Sequence, residues 1–338
     1  VVGAGAIGGT VGAFLIRAGH DVTFVDTVAE HVHAIRERGL RIEGPIAEFT
    51  VAAPAYLPHE VSTPFDVIFL CVKANATEAA SRHVLPFLSK SGVVVSLQNG
   101  LNERVIADII GEARTMGCFI NFGADYLEPG VIHFGGRGAF VLGELDGKTT
   151  PRLKQIHAAA CDFEPNAVIS ANIWGYLWSK LAVGAMIFAT ALTDEGIADC
   201  YAMPQYRGLF ADIAREVLSV ALAKGVRPEP FDGFTPDAFL PGVTPTVTEA
   251  SLESMVAFNR RSAKTHSGVW RDLAIRKRRT EGTAQLGAIT AQAASHGIAV
   301  PLVARILAMV EEIEEGHRER SLANLDALHA LRSAGRRE

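Results

Sequence analysis

The chain is short of the features that would place it among metal, disulfide, nucleic-acid or membrane proteins. Its four cysteines, Cys71, Cys118, Cys161 and Cys200, are scattered, and no two stand at C-x-x-C spacing. That argues against a zinc site or a disulfide framework and fits a reducing cytoplasm; no metal is expected. Neither sign of charge dominates. A formal net charge of −5 over 338 residues gives no general pull toward nucleic acid or an anionic membrane. The longest apolar run, Leu181 to Leu192, falls short of the ~20 residues that span a bilayer, and no charged-then-apolar leader opens the chain. Repeats and low-complexity tracts are also missing. These absences leave a cytoplasmic protein whose partner is a small molecule, with homodimerisation open.

What is present is apolar bulk. With 49% hydrophobic residues the chain can fill two cores, since single cores stop growing near ~250–300 residues. The strongest local signal stands first, in "VVGAGAIGGTVGAFLIRAGHDVTFVD". Gly3, Gly5 and Gly8 satisfy G-x-G-x-x-G, and Ile7, Val11, Phe14 and Leu15 then recur at helical spacing. A β-rich run from Asp21 follows and ends in Asp26. The glycines therefore lie between a strand and a helix, the context this motif needs to signify dinucleotide binding. Gly3 allows the tight turn, Gly5 lets the backbone approach a pyrophosphate, and Gly8 lets helix pack on strand. The amides of Ala6 and Ile7 at the helix start face the phosphates. Only Val1 and Val2 precede Gly3, which predicts that residues before Val1 belong to the first strand. Asp26 can accept hydrogen bonds from the adenosine ribose and would repel a 2′-phosphate, so NAD(H) is expected over NADP(H).

Phe65 to Val72 and Val93 to Leu97 are unbroken apolar runs of the kind buried on both faces of a parallel sheet. Lys73 and Asn99 follow these runs, so both should stand on the rim where such sheets bind ligands. Helices are expected over 76–88 and 102–110, later strands in a partly antiparallel arrangement, and an edge hairpin within 40–58. From Asn172 the pattern turns helical, over 173–193, 205–224, 248–262, 280–296 and 302–315. The expected fold is α/β, a Rossmann-type dinucleotide-binding domain over 1–171 followed by an all-helical C-terminal domain over 172–338. The basic cluster Arg276 to Arg279 reads as a solvated loop face or as an anion site.

Within "LWSKLAVGAMIF" a single charge, Lys180, sits on a mainly apolar helix face. Either its stem snorkels to water or its head lines a cleft, where desolvation would make it a usable proton donor. The glycine motif, Lys73 after "FLCV", "QNG" at 98–100, "LWSKLAV" at 177–183, "RRTEG" at 278–282 and "HGIAVP" at 296–301 together resemble the ketopantoate reductase (2-dehydropantoate 2-reductase) family across nearly the whole chain. The resemblance implies hydride transfer between nicotinamide and a 2-oxo or 2-hydroxy acid, with Lys180 as general acid/base and Glu281 as its acidic partner at the substrate. It also implies that Asn99 and Lys73 lie near nicotinamide and substrate, and that Ser267 binds substrate. Two positions depart from the family pattern, Gly184 and Phe188 replacing substrate-binding asparagines. That departure predicts a bulkier acid than ketopantoate, with an apolar part resting on Phe188. A protein that binds the dinucleotide only to sense redox state is the alternative, and it has no use for Lys180 or Glu281.

Overall fold

The computed structural model describes residues 1–261 and 265–335. It divides into two compact units, Val1–Ile173 and Trp174–Glu338.

The first unit runs α1 (Ala6–Arg17), β1 (Phe24–Val25), α2 (Ala29–Arg38), β2 (Leu40–Glu43), β3 (Phe49–Val51), β4 (Ala55–Tyr56), β5 (Phe65–Leu70), α3 (Thr77–Val84), β6 (Leu88–Ser96), α4 (Asn102–Ile110), β7 (Thr115–Glu128), β8 (Val131–Glu144), α5 (Pro151–Phe163) and β9 (Val168–Ile169). The larger sheet has the order β3-β2-β8-β7-β6-β5, with β9 beside β8. Val2 bridges in parallel to both Val25 and Leu70, so the opening residues thread between β1 and β5. Strands β5, β6 and β7 pair in parallel, whereas β7 and β8 form a long antiparallel pair. The expected edge hairpin is β2 with β3, joined in register Leu40↔Val51.

The side-chain period of two decides where the core lies. Phe69, Val93, Val95 and Leu97 fall in one buried cluster with residues of α1, α2 and α5, while Ile68, Leu70 and Val94 fall in another with α3 and α4. Apolar runs without alternation therefore fill both faces of the sheet. Helix α4 starts and stops where its apolar spacing predicts, burying Ile106 and Ile110. The expected helix over 76–88 is shorter, α3 ending at Val84 before a 3₁₀ turn that contains Pro86.

The second unit is helical: α6 (Ile173–Ala191), α7 (Ile197–Ala202), α8 (Pro204–Ala223), α9 (Pro245–Arg260), α10 (Gly268–Ala274), α11 (Gly282–Ser295), α12 (Pro301–Glu314) and α13 (Ala323–Gly335). Ser262, the expected end of α9, lies outside the described residues. Proline at the first helical position opens α8, α9 and α12, where its missing N–H costs nothing. By length and composition α6 could cross a membrane, but 67% of its apolar stretch is buried inside the protein, as in a core helix. Its C-terminal carbonyls are caught by the segment before α13: Ser321 N and Asn324 Nδ2 donate to Leu192 O at 3.0 and 2.8 Å, and Arg320 donates to Thr193 O at 3.1 Å.

Candidate active site

Each glycine of the opening motif answers to a different neighbour. Gly3 has φ +89°, and a Cβ there would lie 2.9 Å from the Cys71 and Val72 backbone, so turn and close approach coincide. At Gly8 a Cβ would come within 2.1 Å of Gly3 O, which bars any side chain. At Gly5 it would meet nothing within 4 Å. Gly5 is the N-cap of α1, with no side-chain cap and no acid in the first turn. The amides of Ala6, Ile7 and Gly8 consequently point from an uncapped helix start, with its positive dipole end, into space that Gly5 keeps clear. A dinucleotide pyrophosphate fits this cradle by charge and by room.

Asp26 follows β1, and both its carboxylate oxygens are tied: Ala4 N donates to Oδ2 at 2.8 Å and Val28 N donates to Oδ1 at 2.9 Å. The acid is thus built into the glycine loop, with further lone pairs left for ribose hydroxyls. His31 on α2, missed in the sequence, supports the same loop. Gly130 N donates to its Nδ1 at 2.9 Å, so the proton sits on Nε2, which lies 2.8 Å from Ala4 O and donates to it.

Lys73 and Asn99 are exposed on the expected rim, and a buried amide network joins their loops. Gln98 Nε2 donates to Val72 O and Thr77 Oγ1, both at 2.8 Å; Thr77 lies 3.1 Å from Asn102 Oδ1; and Asn102 Nδ2 donates to Asn99 O at 2.7 Å. Gln98, Thr77 and Asn102 hold the backbone that carries Lys73 and Asn99. The "QNG" motif contained one of the three.

In the second unit Lys180 lies mid-way along α6 and is half-buried, as is Gly184 one turn on. Glu281 occupies the N-cap of α11, the only acid at that helix start. The backbone there is fixed by Thr280, whose Oγ1 accepts from Gly282 N at 3.0 Å and donates to Glu314 Oε1 at 2.7 Å. Helices α6 and α11 meet: a Cβ on Gly184 would lie 3.6 Å from Gln285 Oε1, and one on Gly282 would lie 3.6 Å from the Phe188 ring. Phe188 itself is 1% exposed. It seals the packing under α11 and offers no aromatic wall to a ligand, contrary to the expectation drawn from position 188; one full turn beyond Gly184 the helix face has already turned into the core. Ser267 is buried and caps α10, its Oγ accepting from Trp270 N at 3.0 Å. The basic cluster is organised by buried Asp272, which pairs with Arg276 at 3.0 Å and Arg278 at 2.9 Å. Among the described residues no group of His, Cys, Asp and Glu could hold a metal ion.

Comparison with known proteins shows the family. Residues 1–147 match the family model described as ketopantoate reductase PanE/ApbA, and residues 172–314 match its C-terminal model. The chain is 28% identical over 313 residues to 2-dehydropantoate 2-reductase of Halobacterium salinarum, covering 92% of this chain and 96% of that one. It is similar in structure to a PanE/ApbA family ketopantoate reductase from Ralstonia eutropha JMP134, with TM-score 0.78, 26% identity, and 94% and 98% of the two chains covered. A D-mandelate dehydrogenase solved with NADH and anilino(oxo)acetate gives TM-score 0.82 at 23% identity over 94% and 98% of the chains, a likeness of fold.

Proposed function

Because this chain belongs to the ketopantoate reductase family, we propose that it catalyses reversible hydride transfer between NAD(H) and a 2-oxo acid, with Lys180 as general acid/base. The observation that carries the reading is the glycine loop. Three glycines with three separate steric causes end on an uncapped helix, and Asp26 is hydrogen-bonded into the loop itself. A redox sensor would need this loop, but it has no use for a lysine in the middle of a packed helix.

When bound, the nicotinamide supplies the hydride. The chain's own residues handle the rest. As the 2-oxo carbon is reduced, negative charge develops on its oxygen, and the Lys180 ammonium stabilises that charge and delivers the proton. In the reverse direction the neutral amine takes the proton back. Glu281, at the positive end of the α11 dipole, orients the ammonium or a substrate hydroxyl. Lys73 and Asn99, on loops braced by Gln98, Thr77 and Asn102, present a cation and an amide toward nicotinamide and substrate, and Ser267 keeps its hydroxyl proton for a ligand.

Preference for NAD(H) rests on Asp26, whose charge opposes a 2′-phosphate. The guanidinium of Arg36 on α2 is meanwhile engaged with Glu60 and with Ala55 O. The test is spectrophotometric: NADH oxidation with a panel of 2-oxo acids, repeated with NADPH. Turnover with NADH at higher kcat/KM than with NADPH supports the reading; no turnover of any acid overturns the activity, and NADPH matching NADH overturns the preference.

A further inference from the structure

The long antiparallel pair of β7 and β8 brings an aromatic residue up to the glycine loop. Tyr126 on β7 stands opposite Ile132 on β8, and directly opposed residues of an antiparallel pair share one face of the sheet. That face looks onto the first turn of α1, since a Cβ on Gly9 would lie 2.3 Å from Ile132 Cδ1. The Tyr126 ring also meets His31 edge-on, with centroids 5.0 Å apart and planes at 69°. His31 is the residue that donates to Ala4 O within the loop. Charge gives a third bearing. Burial first, and then the carboxylates of Asp26, Glu30 and Glu128, push the phenol above its ordinary range, so the hydroxyl keeps its proton and can donate it. Helix, histidine and acids together set this half-buried phenol beside Asp26.

We infer that Tyr126 is a cofactor-binding residue whose hydroxyl donates a hydrogen bond to an oxygen of the adenosine ribose held by Asp26. This rests on the proposed binding of NAD(H) at the glycine loop. The two side chains divide the work by hydrogen-bond type. A carboxylate only accepts, so Asp26 takes the protons of the ribose hydroxyls and leaves their oxygen lone pairs for a donor. A neutral phenol supplies that donor and brings no charge of its own. By itself it would serve a 2′-phosphate as well as a hydroxyl, so discrimination falls to its surroundings. There a phosphate would meet Glu30 and Glu128 in addition to Asp26, all of like charge.

The test titrates the full chain with NADH, with ADP-ribose, and with reduced nicotinamide mononucleotide, which lacks the adenosine. Tyr126→Phe keeps the ring against His31 and removes the hydroxyl alone, so the melting temperature without ligand should hold. Its dissociation constants for NADH and ADP-ribose should rise by about 2- to 12-fold, the worth of one hydrogen bond between neutral groups. The constant for the mononucleotide should stay where it was, a split that a merely structural ring would not produce. Unchanged affinity of Tyr126→Phe for ADP-ribose, or an equal loss for the mononucleotide, overturns the inference and leaves the NAD(H) reading standing. Wild type that binds neither NADH nor ADP-ribose overturns that reading and this inference with it.

Discussion

Gly5 and Gly8 stand three positions apart and answer to different demands, so the same substitution should separate them. Gly8→Ala sets a Cβ 2.1 Å from a backbone oxygen, and the chain should lose soluble expression or melt far below wild type. Gly5→Ala meets no protein atom and should leave the melting temperature within a degree or two while weakening NADH at least tenfold, because the methyl occupies the room kept for phosphate. Calorimetric titration and thermal melts check both, and tight NADH binding by Gly5→Ala would remove the phosphate assignment. Lys180→Ala should lower turnover by roughly 10²–10⁴-fold and leave the NADH dissociation constant alone; a variant keeping half the wild-type rate would show that the proton comes from elsewhere. The turn at Gly3, the close packing at Gly8 and the place of Asp26 after β1 were legible because each obeys a local rule of spacing, whereas the role proposed for Lys180 rests on the family resemblance, since spacing along α6 left snorkelling open. The burial of Phe188 was not legible, because spacing along α6 does not reveal how narrow its open face is.

At the scale of elements, α12 owes its start to a residue on α8. Glu216 accepts from Leu302 N at 3.0 Å and Val303 N at 2.9 Å, and burial nevertheless pushes its carboxyl up from 4.5 to about 7. The folded chain thus holds a proton that the unfolded chain releases between pH 4.5 and about 7. Stability contributed by this group is present below pH 4.5, falls through that window and stays flat above it. The loss should amount to on the order of 3 kcal/mol. Glu216→Gln should abolish this part of the slope in urea midpoints measured from pH 5 to 8; parallel slopes for variant and wild type would exclude it. Long elements with clear periodicity, such as α4, α8 and α12, were legible to within a residue or two. The short helices α7 and α10 were not, because six or seven residues are too few for a period of 3.6 to show. Helix α2 was missed as well, its stretch being dominated by charge and histidine.

For the whole molecule, the glycine loop proposed as the cofactor cradle lies within the first unit and Lys180 in the second. NADH at a hundred times its dissociation constant should stabilise the fold it binds by about 2.7 kcal/mol. Hydrogen exchange should show that protection in residues 1–30 for wild type and Lys180→Ala alike, and slowed exchange confined to the second unit would contradict the cradle. The order of the units was legible because strand-like runs give way to helical ones near Asn172, whereas the hold of the C-terminal segment on α6 was not, since it consists of single hydrogen bonds to Leu192 and Thr193. That hold has a consequence in time. Residues 320–324 leave the ribosome long after α6, so the end of the helix that carries Lys180 is tied down only well after the helix itself has been made. A chain clipped by a protease at residue 316 should still retain NADH yet turn over poorly, which makes the intact tail a checkpoint on whether a newly made molecule is fit to work.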